Sequence, residues 1–147
     1  MKFSFSTLGC PYYTFEEMID LAKRSGYTGV EFRIYKGTED LRVLEEFQRP
    51  GIGATRRLFQ EAGLQVACVS SSARFAYPDP ENLKTQLKLA EDFMQIASDL
   101  ECPYVRVFGG PYPLNFTDRP KAEPFIEEYR ASIPPEKIAG LTREECD

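Results

Sequence analysis

The chain contains no histidine. Imidazole is the commonest zinc ligand and a frequent general base, so any metal or base held by this chain alone has to use carboxylate or thiolate groups. No two of its four cysteines, Cys10, Cys68, Cys102 and Cys146, have Cys-x-x-Cys spacing. That argues against a zinc finger and a disulfide framework, and the cysteines read as reduced thiols, with Cys68 packed inside an apolar strand. No apolar run approaches the ~18 residues of a membrane span. The start, Met1-Lys2-Phe3-Ser4-Phe5-Ser6, lacks the longer apolar stretch and cleavage site of a signal peptide, so the expected location is the cytoplasm. An excess of positive charge is also lacking: 18 Lys and Arg stand against 23 Asp and Glu, so the net charge is −5 and the pI about 4.9. A general nucleic-acid binder needs a basic face, so that class is set aside, whereas a few local arginines still suffice for a small anion. No Walker motif, dinucleotide fingerprint or metalloprotease helix is present.

What remains is a globular composition, 42% hydrophobic and 28% charged over 147 residues, enough for one domain with a core. The alternating segment 3–8 reads as a first strand ended by Gly9-Cys10-Pro11. Thr14-Phe15-Glu16-Glu17 is a capping box. Phe15, Met18, Ile19 and Ala22 follow at helical spacing, and Gly26 stands at the expected left-handed stop. Segment 29–34 reads as strand two, 36–50 as a loop with a short helix near 41–47, and 53–62 as a second helix with Leu58, Phe59 and Ala62 on one side. Segment 66–71 is an apolar third strand ending in serines. Asp79-Pro80-Glu81 then suits the start of a long helix. In that helix Leu83, Leu87, Ala90, Met94 and Ala97 form one stripe, widened by Leu89, Phe93, Ile96 and Leu100. Segment 104–108 is strand four. The alternation β-α-β-α-β-α-β implies a parallel sheet with helical crossovers. From residue 111 onward the pattern weakens into a proline-rich loop, a helical stretch over 122–131 and a charged tail, so the chain divides into 1–110 and 111–147.

Strand alternation supplies the first functional inference. Val30, Phe32 and Ile34 share one face of strand two, leaving Glu31 and Arg33 on the other; in strand four Arg106 lies opposite Val105 and Val107. An open doubly wound sheet is covered on both sides and its strands read apolar throughout. A barrel has an inner face that can be polar near its mouth, so these charges favour a barrel. Two readings of Glu31, Arg33 and Arg106 stand side by side. They line a pocket for a polar or anionic ligand, for which the planar guanidinium fork is suited, or they pair with one another and fill the barrel. Gly109-Gly110 either lets backbone approach a ligand or makes a simple turn. Ser70, Ser71 and Ser72 can hydrogen-bond a hydroxylated substrate, and with no evident base nearby none is read as a nucleophile. Tyr12, Tyr13 and Phe15 either flank a sugar or pack.

At this point a family resemblance enters. Phe5-Ser6-Thr7-Leu8-Gly9-Cys10-Pro11, then Gly26-Tyr27-Thr28-Gly29-Val30-Glu31-Phe32-Arg33, then Ala62-Gly63-Leu64, and Tyr104-Val105-Arg106-Val107-Phe108-Gly109-Gly110 occur in order. Together they resemble the first half of xylose isomerase-like TIM barrel proteins, the sugar phosphate isomerases/epimerases, over residues 1 to about 110. The resemblance implies an α/β fold, a partial (β/α)₈ barrel of about four βα units on a parallel sheet. It implies isomerisation or epimerisation of a sugar or polyol by proton transfer beside a carbonyl, with a divalent metal (Mn²⁺, Mg²⁺ or Zn²⁺) at the C-terminal mouth. Some relatives are dehydratases; others are DNA-repair endonucleases whose zinc cluster uses histidines that this chain lacks. In the isomerases the metal ligands and acid/base carboxylates come mainly from strands five to eight. No ligand is therefore carried over, and the catalytic residues are unknown. The substrate-binding expectation falls on Glu31, Arg33, Ser71, Arg106 and Gly109. A full barrel takes about 250 residues. The chain is accordingly expected to be a truncated form, inactive alone, whose open sheet edges pair with a second copy as a homodimer or with a complementing fragment. The alternatives are a non-catalytic sugar- or anion-binding module and a gene remnant. No membrane or nucleic-acid partner is expected.

Overall fold

A computed structural model of the chain describes residues 1–75 and 80–109. Its elements are β1 (Ser4–Ser6), α1 (Phe15–Ser25), β2 (Gly29–Phe32), α2 (Gly51–Glu61), β3 (Gln65–Arg74), α3 (Pro80–Asp99) and β4 (Val105–Phe108). The strands form one parallel sheet in the order β1-β2-β3-β4. Each strand lies beside its neighbour in sequence. A doubly wound sheet reverses its order at a switch point; this one does not, and its winding is that of one side of a (β/α)₈ barrel.

Helix α1 forms where its capping signal stands. Glu17 N–H donates to Thr14 Oγ1 at 3.2 Å, and Thr14 N–H donates to Glu17 Oε2 at 2.8 Å. The helix stops at Gly26, whose φ of 72° costs a glycine little. Phe15, Met18, Ile19 and Ala22 are buried as their spacing requires. Tyr27 N–H closes the turn on the Ala22 carbonyl, and Thr28 N–H donates to the Phe3 carbonyl beside β1.

Between sheet and helices lies an aromatic core. Phe32 of β2 is fully buried and meets Phe47 and Phe59 edge-on at 5.1 and 5.3 Å, while Phe15 stacks on Tyr35 at 4.5 Å. Within the loop over 36–50 the short helix expected near 41–47 takes the form of two 3₁₀ turns, Leu41–Val43 and Glu45–Phe47, which seat Leu41 and Phe47 in this core. Arg42 fastens the loop by pairing with Asp40 and reaching Asp92 of α3 at 3.0 Å. Helix α2 begins at Gly51, two residues before the expected start, where the chain passes so close that a Cβ would lie 2.3 Å from the Glu45 carbonyl oxygen.

Two expectations change. In α3 the stripe of Leu83, Leu87, Ala90, Met94 and Ala97 does not face the core as a unit. Leu87 and Met94 are 49% and 52% exposed, and the buried line is Ala90, Phe93, Ile96, Ala97 and Leu100. Strand β3 runs on to Arg74, which pairs with Phe108 of β4 beyond a register shift between Ser70 and Arg74. Among the described residues Cys10, Cys68 and Cys102 are free thiols, and burial raises the pKa of Cys10 and Cys102, keeping them protonated. No helix among the described residues is long and apolar enough to cross a membrane. The chain divides between Gly110 and Pro111. The expected cap Asp79, Gly110, the helix over 122–131 and Cys146 lie outside the described residues.

Candidate functional site

The alternation of β2 puts Val30 and Phe32 into the aromatic core and turns Glu31 to the opposite face of the sheet. Register brings two partners to it. Glu31 lies across from Cys68, and two residues on, Ser70 lies across from Arg106. Ser70 is fully buried, and its hydroxyl donates to Glu31 Oε1 while accepting from Arg106 Nε at 3.0 Å. The Arg106 Nε to Glu31 Oε1 separation is 3.6 Å, so the hydroxyl relays between an ion pair that also attracts directly. Cys68 Sγ stands 3.8 Å from Ser70 Oγ. One hydroxyl thus fixes a carboxylate and a guanidinium in a row across β2, β3 and β4.

Arg33 was grouped with Glu31 by alternation, but its side chain takes another partner. Its Nη2 donates to Glu39 Oε2 at 2.7 Å, and only 12% of the side chain is exposed. Backbone holds it there: the amides of Arg33 and Ile34 both donate to Thr7 Oγ1, at 2.9 and 3.1 Å. Thr7 is buried in the turn after β1 and so ties the end of β2 to its neighbour. The Ser72 hydroxyl and the Arg33 guanidinium hold the Glu39 carboxyl below its usual range, against the opposing effect of burial. Ser72 Oγ has no partner at full hydrogen-bond geometry, so its influence on Glu39 is that of a nearby dipole.

Ser71 is placed differently from its neighbour. It is fully buried, its hydroxyl donates to the Arg106 carbonyl at 2.9 Å, and it accepts from the Ala73 amide at 3.3 Å. Both bonds are to backbone and steady the register shift of β3. The serine beside the charges is Ser70, which the sequence named in its triplet without singling it out. Gly109 follows β4, and a Cβ there would meet nothing within 4 Å, so close packing does not demand the glycine. Tyr12 and Tyr13 are exposed, and Phe15 belongs to the core.

Glu31, Ser70 and Arg106 therefore meet on the face away from the aromatic core, toward the C-terminal strand ends where barrel enzymes carry their sites. The second Glu31 oxygen and the outer edge of Arg106 have no hydrogen bond to a described residue. They are free in that sense to accept from a hydroxyl and to donate to a carbonyl or carboxylate. Two clefts lie elsewhere, one among helices lined by Phe15, Glu45, Thr55 and Leu58, the other lined by Arg56, Gln60, Gln65 and Glu101 at the start of β3. Neither contains a member of the charged row. No group of three His, Cys, Asp or Glu side chains among the described residues is arranged to hold a metal. Glu31 is engaged by Ser70 and Arg106, so the described residues do not by themselves fit the divalent ion that the resemblance implies.

The family model described as xylose isomerase-like TIM barrel matches residues 19–134. No curated protein matches the chain. Among solved structures, the probable 3-DHS dehydratase AsbF involved in petrobactin synthesis from Bacillus anthracis superposes with a TM-score of 0.59 at 15% identity. The match covers 87% of this chain and 46% of that one, so the chain spans under half the length of its structural neighbour. At that identity the likeness shows the fold alone: a parallel four-stranded sheet with its helices, part of a TIM barrel.

Proposed function

Because the chain belongs to the xylose isomerase-like TIM barrel family, we propose that it supplies the substrate-binding strands of a cytoplasmic carbohydrate enzyme. Its ligand is a sugar or polyol, and the reaction class is isomerisation or epimerisation by proton transfer beside a carbonyl. The observation that carries this reading is the Glu31–Ser70–Arg106 row on the polar face of the sheet. Each member does one thing. Arg106 donates its outer N–H edge to a carbonyl or hydroxyl oxygen. Glu31 accepts from a substrate hydroxyl. Ser70 locks both side chains and so spares the ligand the cost of ordering them. A divalent metal belongs to the proposal as a group whose ligands lie outside the described residues, and no step is assigned to it. β1 and β4 each pair on one side only among the described residues, which supports association with a second copy or a complementing half.

A non-catalytic binding module is the second reading. It is favoured by the engagement of Glu31 with Ser70 and Arg106, which suits a fixed acceptor better than a mobile base. The test is calorimetric titration of the 147-residue chain with a panel of sugars and polyols, with and without Mn²⁺, beside assays of isomerisation, epimerisation and dehydration. Dehydration is included because the structural neighbour is a probable dehydratase. Saturable binding abolished by Arg106→Ala supports the site, and turnover decides between enzyme and module. Binding that is indifferent to Arg106 and Glu31 sinks both readings.

A further inference from the structure

Three guanidinium groups surround one ring at the end of β4. The Cζ atom of Arg106 lies 4.4 Å from the Phe108 ring centroid, that of Arg74 5.7 Å and that of Arg33 5.8 Å. All three are within cation–π range, yet like charges sharing one ring also repel one another. Two carboxylates answer them: Glu39 on Arg33 and Glu31 near Arg106. The Arg74 guanidinium makes no close ion pair with a described residue and acts on the Glu39 carboxylate only through space, so among the described residues three cations share two anions. Arg33 Nη1 is in addition buried without a hydrogen-bond partner. A buried donor left without an acceptor is costly, and native structures rarely keep one unless something else supplies the acceptor.

We propose that Arg33, Arg74 and Arg106, gathered around Phe108, form a subsite for an oxyanion, a carboxylate or phosphate group carried by the ligand. The inference rests on the sugar- or polyol-binding reading for the body of that ligand; the charged group is what the cluster adds. Register puts the subsite one step beyond the row. Ser70 pairs with Arg106, and Arg74 pairs with Phe108, so the ring and its arginines follow the Glu31–Ser70–Arg106 row toward the strand ends. A ligand lying along β3 and β4 meets the hydroxyl-binding row with its body and the arginines with its anion. The ring gives the guanidiniums an apolar seat and leaves their N–H edges to the incoming oxygens. The extra positive charge balances the ligand, and Arg33 Nη1 gains its acceptor.

The experiment titrates the full chain with inorganic phosphate, acetate and xylitol at constant ionic strength, followed by calorimetry. Phosphate or acetate is expected to bind saturably. Arg74→Gln is expected to raise the dissociation constant of that anion about tenfold, the effect of losing one charge-assisted contact, and to leave xylitol unchanged. Arg74→Lys keeps the charge without the fork and recovers part of the loss. Phe108→Leu weakens the anion without removing a charge. Tighter phosphate than acetate identifies a phosphate ligand, and the reverse a carboxylate. Absence of saturable anion binding, or an affinity untouched by Arg74→Gln, overturns the subsite. Xylitol binding that persists in that case leaves the polyol reading standing. Anion binding lost in Arg74→Gln with no xylitol binding supports the subsite and sinks the polyol reading instead.

Discussion

Phe32 and Glu31 are adjacent in β2 and live in opposite surroundings. Phe32 is sealed against Phe15, Phe47 and Phe59, and everything it needs is present. Glu31, on the other face, is held by a hydroxyl and an arginine, with one oxygen unbonded among the described residues and a cluster of guanidiniums beyond it. The helix-facing side is complete as an apolar core, and its packing supplies stability. The other side is polar and, among the described residues, only partly satisfied, and a fold keeps such groups when they meet something else. The two faces of one short strand thus divide the labour between holding the sheet together and recognising a ligand.

That division can be broken on the core side first. Phe32→Ala should destabilise the chain most, by about 3–5 kcal/mol, because it opens a cavity among three other rings; urea unfolding measures it. Gly51→Ala comes next, at about 1–3 kcal/mol, since the added methyl collides with the Glu45 backbone and the 3₁₀ turn has to shift. Thr14→Ala should cost about 1 kcal/mol through loss of the cap. On the polar face the expected pattern is inverted. Arg106→Ala should leave the melting temperature within a few degrees of the parent while abolishing ligand binding. If it unfolds the chain, the polar face is structural and the comparison fails. The smallest effect concerns pH. The carboxyl of Glu39 titrates below its ordinary 4.5 in the folded chain. Its contribution is therefore present above about pH 4.5 and lost as pH falls through the lowered value. Glu39→Gln should flatten the acid limb of the stability profile slightly and lower the plateau near neutrality by the same small amount.

The sequence made the core side legible and left much of the polar side hidden. The capping box at Thr14, the stop at Gly26 and the buried line from Phe15 to Ala22 were readable because local chemistry alone determines them. The core stripe of α3 was not, because that helix carries two apolar lines and periodicity cannot choose between them; only packing against β3 selects Phe93, Ile96 and Leu100. Alternation placed Glu31 and Arg106 on one face correctly. It could not show that Arg33 turns to Glu39, since that partner sits in a loop without regular spacing. Ser70 was obscured by the apolar run before it, in which Val66, Ala67, Cys68 and Val69 hide which side is inward. The register shift of β3 and the approach of Arg74 to Phe108 depend on strand pairing, which no single segment encodes.

The central claim is that the face carrying Glu31, Ser70 and Arg106 is the one that meets ligand. The most direct test is a ¹⁵N–¹H correlation spectrum of the labelled chain titrated with a polyol such as xylitol and, separately, with phosphate. The account predicts shifts concentrated at the amides of Glu31, Arg33, Ser70, Ser72, Arg106 and Phe108. Shifts confined to the helical cleft of Phe15, Thr55 and Leu58, or to the cleft of Arg56, Gln60 and Glu101, would contradict it, as would a spectrum that responds to neither xylitol nor phosphate.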